Sequence, residues 1–244
     1  MKLAAFDIEI AKQLPAGCEN WLEHAPLGIT CAAIAYRDAA GTLVTTVHYT
    51  DTQFWATDAV SFLAHLYQLR EEGYTLLSWN GCGFDLQVLA QESGFYHLCG
   101  DLALKHVDLM LEVFCRQGHY LALDKALAGA GLKSKLHDVT LKDGTAVNDM
   151  SGAAAPQLWA AGEHEAVLAY LRRDVEGLLE LAEWVLANGC IQWTSTSGKR
   201  QQVPVLKLSP VAQLFALPEP DTSWMQNPKP RTQFTAWIPM GVKL

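Results

Sequence analysis

No apolar run in this 244-residue chain approaches the length of a bilayer span, so no membrane-crossing helix is expected. Met1-Lys2-Leu3 leads straight into a strand-like segment, so no secretory leader is expected. Paired cysteines are missing too. The six, at positions 18, 31, 82, 99, 115 and 190, show no C-x-x-C spacing, which argues against structural zinc and fits reduced thiols in a cytoplasmic protein. Basic residues are few, with 18 Lys and Arg against 26 Asp and Glu and a net charge of -8. The broad positive footprint of a processive binder of long duplex is therefore absent. Repeats and low-complexity tracts are absent as well. Half of the residues are hydrophobic, ample for one sizeable core, and the length suits one domain with an appendage.

Against this background, three short segments concentrate carboxylates. Leu3 to Ile10 is an apolar run with β-branched residues and reads as a buried strand, so Asp7 and Glu9, two apart, point to the same side. Two adjacent carboxylates on a core strand repel each other and are costly to desolvate, which calls for a compensating cation, expected to be a metal. Thr75 to Trp79 reads as a second strand, and Asn80-Gly81-Cys82-Gly83 as a turn into a helix beginning near Phe84 and Asp85. Taken alone, Asp85 is equally an ordinary acid at a helix N-terminus. The third segment runs from His164 to Leu181 at helical spacing, with Tyr170 and Asp174 one turn apart on one face. Leu171, Val175, Leu178 and Leu179 can form the core stripe without that face.

Taken together, Asp7-Ile8-Glu9, Asn80-x-x-x-Phe84-Asp85 and Tyr170-x-x-x-Asp174 resemble the DEDDy-type 3′-5′ exonucleases of the ribonuclease-H-like superfamily, which include the proofreading domains of family B DNA polymerases. The resemblance spans about residues 1 to 188 in the family's motif order. It implies an α/β fold, a ribonuclease-H-like mixed sheet flanked by helices with the acids gathered near one end of the sheet. A domain over residues 1–189 is expected, followed over 190–244 by a β-hairpin with a basic tip and an extended arm holding Trp224 and Trp237. A pass along the chain agrees: a strand pair over 28–36 and 42–49, an amphipathic helix over 58–72, and further helical patterns over 111–117 and 121–130. The arm is expected to pack on its own domain, with docking to a protein partner as the alternative.

The resemblance also implies a mechanism: hydrolysis of single-stranded nucleic acid from the 3′ end to 5′-mononucleotides, with DNA placed ahead of RNA. Asp7, Glu9 and Asp174 would hold one divalent ion, Mg²⁺ or Mn²⁺, and Asp7, with Asp85 through water, a second. Tyr170 would orient the attacking water, and Asn80 and Phe84 would lie beside the substrate, Phe84 being equally a core residue. Two such ions would offset the chain's negative charge where the scissile phosphate lies. The rivals are a non-catalytic binding module of the same fold, and a nuclease subunit of a replication or repair assembly. Three further features are expected to be structural. Asp108 reads as a helix cap, Lys133, Lys135 and His137 as part of a solvated loop over 133–155 with contact to a phosphate backbone as the alternative, and Cys82 as an ordinary thiol with no histidine beside it.

Overall fold

In a computed structural model, which describes residues 1–18 and 20–242, the chain forms, besides two 3-10 turns, nine strands and eight α-helices among the described residues. In chain order these are β1 (Lys2–Ile10), β2 (Ile29–Arg37), β3 (Leu43–Tyr49), α1 (Ala56–Glu71), β4 (Tyr74–Ser78), α2 (Asp85–Ser93), α3 (Tyr96–Lys105), β5 (Val107–Asp108), α4 (Leu109–Gln117), α5 (Leu123–Ala130), β6 (Val139–Thr140), β7 (Ala146–Val147), α6 (Ala155–Ala160), α7 (His164–Asn188), β8 (Cys190–Thr194), β9 (Arg200–Pro204) and α8 (Val211–Leu214). The main sheet has the order β3-β2-β1-β4-β5. β2 runs antiparallel to β1 and β3, whereas β4 and β5 run parallel in register with β1 and β4, so the sheet is mixed as expected.

Strand alternation splits the core in two. Leu3 and Ala5 of β1 pack on one face with Leu171, Val175 and Leu178 of α7, while Ala4, Phe6 and Ile8 pack on the other with Phe62 and Leu66 of α1 and Leu86 of α2. Alanines at 32, 33 and 35 keep β2 thin, which lets the helices on both faces approach closely. Asp7 and Glu9 continue the Leu3–Ala5 row, so they face α7. A register irregularity between Glu9 and Ile10 ends the regular pairing immediately after this acidic pair, a common place for a bulge beside a site.

Two details depart from the sequence expectation. The segment over 133–155 is not a plain surface loop: β6 and β7 form a small hairpin within it, too short to leave a periodic signature. The arm is also more structured than its composition suggests, with α8 and a 3-10 turn over Arg231–Phe234. It packs on the domain. Phe234 is fully buried and sits where a β-carbon on Gly83 would fall, and the Trp237 indole donates to the Cys82 carbonyl at 2.9 Å. The Arg231 guanidinium, almost completely enclosed, donates to the carbonyls of Cys115 (2.6 Å) and Leu217 (2.7 Å). A buried cation held by these carbonyls ties the arm to the end of α4.

Candidate functional site

All four acids and Tyr170 line one cavity of about 760 Å³ at the C-terminal end of β1. The carboxylate oxygens of Asp7, Glu9 and Asp174 lie within 4.8 Å of one another. Asp7 and Glu9 arrive there by strand alternation, and Asp174 arrives because α7 crosses the same sheet face with Leu171, Val175 and Leu178 turned into the core. Asp85 comes from the other side. It opens α2, and its Oδ1 accepts the Ile8 amide at 3.1 Å, which serves a β1 amide beyond the last β4 partner, Leu77 opposite Ala5.

The electrostatics are those of a site short of positive charge. Burial raises the Asp7 and Glu9 carboxyls well above the usual range; the neighbouring charges of Asp85 and Asp174 push Asp7 further, and those of Asp7 and Asp174 push Glu9 further. Burial raises Asp85 to about 6, opposed by its hydrogen bonds to Asp7 and to the Ile8 amide. Asp174 is raised by burial too, and held back by Lys135, whose ammonium lies 2.5 Å from its Oδ2. One ammonium against four carboxylates leaves an excess of negative charge.

These residues fit a hard divalent cation. The donors are all oxygens, they converge closely enough to surround one centre at the usual 2.0–2.6 Å or so, and the Asp174 Oδ1 is buried with no hydrogen-bond partner. Asp7, Glu9 and Asp174 could hold such an ion, and Asp85 stands behind Asp7.

Tyr170 lies under the Lys135 ammonium, 4.8 Å from ring centroid to Nζ, and one helical turn from Asp174. Burial raises its phenol above the ordinary value, with Asp174 and Glu9 adding to the shift, so it stays protonated at neutral pH and can donate. Asn80 adopts a left-handed conformation (φ 74°), the one non-glycine residue with positive φ among those described, and its side-chain oxygen is buried without a partner. Strain and an unsatisfied group in a cavity wall are both marks of a residue kept for contact with something bound. Phe84 is half-buried, lines the cavity and packs edge-on against Trp21 at 5.1 Å between centroids.

Two residues do more than their local sequence indicates. Asp108 caps α4 through the Leu111 amide (3.0 Å), but it also accepts the amides of Asn80 (2.9 Å) and Cys82 (3.0 Å), so one buried carboxylate holds the whole turn before α2. Lys135 overturns the solvated-loop expectation: burial lowers its ammonium, yet Asp174 and Tyr170 outweigh that and raise it, fixing a positive charge inside the site. His137, in the same segment, pairs with Asp124 at the cavity wall. Cys82 is inert, since burial pushes its thiol well up and its Sγ donates to the Phe234 carbonyl at 3.4 Å.

A family model described as RNase_H superfamily matches residues 22–186. The chain belongs to the RNase H superfamily. The matched stretch begins after β1, so the position of the Asp7–Glu9 pair rests on the sheet itself. Comparison with curated proteins finds no match. Membership accounts for the mixed sheet and gives the carboxylate cavity the setting of a nuclease-like fold. No helix among the described residues is long and apolar enough to cross a membrane.

Proposed function

We propose that this member of the RNase H superfamily is a metal-dependent 3′-5′ exonuclease acting on single-stranded nucleic acid. The observation that carries the proposal is the convergence of Asp7, Glu9 and Asp174 on one point, with Asp85 beside Asp7 and the Tyr170 hydroxyl alongside. Two divalent ions, Mg²⁺ or Mn²⁺, would supply a water of lowered pKa and charge stabilisation at the leaving 3′ oxygen. Asp7, Glu9 and Asp174 would hold one of them, and Asp7 and Asp85 the other. Tyr170, kept as a neutral phenol, would donate to or orient the attacking water; it is a poor base in this setting. Asn80 and Phe84 would bound the terminal nucleotide. Lys135 would keep Asp174 ionised between turnovers.

Tyr170→Phe deletes one hydrogen bond and no charge. It should leave metal affinity intact, measured by calorimetry, and slow turnover by roughly ten- to a thousandfold, as loss of one catalytic donor does. An unchanged rate at saturating Mg²⁺ would return Tyr170 to a packing role.

Polarity tests the assignment as a whole. A 5′-labelled single strand should shorten one nucleotide at a time, while a 3′-phosphorylated strand and a circular strand should resist, because the terminal nucleotide is held by its free end. Rapid cutting of the circle would replace the exonuclease with an internally cutting enzyme. Parallel DNA and RNA substrates decide the preferred sugar.

A further inference from the structure

Beside the carboxylate cavity lies a second one of about 350 Å³, and Ala122 lines both. Its walls come from parts of the chain that the catalytic proposal does not use: the α4–α5 connection, the β8–β9 hairpin and the arm. They are aromatic. His119 meets Trp193 and Trp224 edge-on, with centroids 6.1 and 6.4 Å apart, and Tyr120 closes one side. Trp193 is a buried floor at 5% exposure, whereas Trp224 is 67% exposed, a large apolar ring standing open in the mouth. Its position is set by the arm. At Gly118, which takes φ 77°, a β-carbon would overlap Thr222, and the indole donates to the Asp221 carbonyl at 3.1 Å.

The charge of this cleft is opposite to that of its neighbour. Among the described residues none of those lining it is acidic, in a chain with 26 acids against 18 Lys and Arg, and Lys125 lies in its wall. The hairpin adds a second cation. Trp193 pairs with Gln201 and both line the cleft, and the Ser195 amide donates to the Lys199 carbonyl at 2.8 Å, which sets the exposed Lys199 in the hairpin turn beside the lining residues Ser195 and Thr196. Asp221, three residues before Trp224 in the arm, accepts the Ser223 amide at 3.0 Å.

Aromatic faces flanked by cations and free of acids are the elements of a single-strand track, in which bases stack and phosphates are paired without sequence readout. We propose that this cleft binds the single strand upstream of the terminal nucleotide, with a base stacked on Trp224 and backbone phosphates against Lys125 and Lys199. The strand would cross the Tyr120–Ala122 segment, which the Trp79 indole braces by donating to the Leu121 carbonyl at 2.9 Å, to place its 3′ end at the carboxylates. The inference rests on the exonuclease proposal for the direction of the strand, but not for its binding.

The test is therefore made on the full chain in chelator, where nothing is hydrolysed. Anisotropy is read on a 5′-fluorescein oligothymidine of about ten residues and on a labelled thymidine dinucleotide, which is too short to span both cavities. Trp224→Ala should weaken the longer strand by about five- to a hundredfold and leave the dinucleotide unchanged, with Trp224→Phe restoring most of the loss. Lys199→Ala should reduce the slope of log affinity against log salt by about 0.7, the value for one phosphate contact on a single strand, and Trp224→Ala should not change that slope. Wild-type affinity of Trp224→Ala for the longer strand overturns the cleft, whatever the activity in Mg²⁺. Weakened binding by Trp224→Ala in a protein that never hydrolyses in Mg²⁺ supports the cleft and removes the exonuclease.

Discussion

Asp7→Ala is expected to abolish hydrolysis, by about a thousandfold or more, while leaving the fold intact. Asp7 is the side chain that stands between the Glu9–Asp174 group and Asp85, so its loss would remove a donor from both proposed ion positions. The charge stabilisation at stake is several kcal/mol, and about 1.4 kcal/mol corresponds to each tenfold in rate. Stability should move the other way. In the metal-free protein Asp7 is a carboxyl held by burial among like charges, and removing it relieves Glu9, against the loss of one hydrogen bond to Asp85. Thermal melting in chelator should give an unchanged or higher Tm, and the rise in Tm on adding Mg²⁺ should disappear. A folded variant that degrades labelled strand at the normal rate would place the chemistry elsewhere.

The metal-free wild-type protein should lose stability as pH rises. Asp85 ionises at its ordinary value in the unfolded chain but near about 6 when folded, so between these limits the folded state binds the extra proton. Its contribution is complete below the unfolded value and is lost as pH climbs through about 6. For Asp85 alone the whole interval amounts to about 3 kcal/mol, and Asp7, Glu9 and Asp174, all raised, add in the same direction. In a chain of this length each kcal/mol moves Tm by roughly 2–4 °C. Melting curves in chelator from pH 5 to pH 8 should therefore show Tm falling by several degrees, against the usual stabilisation of carboxylate-rich proteins over the acid range. Mg²⁺ should flatten the profile, because it favours the ionised carboxylates and releases their protons. A chelated protein whose Tm rises steadily over this range would show that the four acids do not share one unneutralised site.

The turn before α2 joins the arm to the site. Phe234 fills the space above Gly83, the Trp237 indole holds the Cys82 carbonyl, and Asp108 holds the Asn80 and Cys82 amides from beneath. The left-handed Asn80 and the first residue of α2, Asp85, are fixed between these two supports. The arm thus contributes to the geometry of a carboxylate far from it in the chain.

The elements that carry the acids were legible because their periodicity is local. Alternation in β1 puts Asp7 and Glu9 on one face whatever the strand packs against, and helical spacing does the same for Tyr170 and Asp174 in α7. The Asn80 turn announced the start of α2 at Asp85 by its glycines. Lys135 could not be read this way. It lies in a segment with no sustained period, and it becomes a buried cation only because α7 brings Asp174 and Tyr170 beneath it. The same holds for Asp108, whose sequence signature is that of a cap and whose two further amide partners lie in a turn that β4 carries alongside β5. The course of the arm belongs to this class too, since isolated aromatics say that they need burial but not where. What the sequence by itself determined was which side chains share a face within each strand and helix, because backbone geometry sets that locally. Which faces meet, and which loop charge enters the site between them, only the tertiary structure decided, because those contacts are selected by the packing of the whole core.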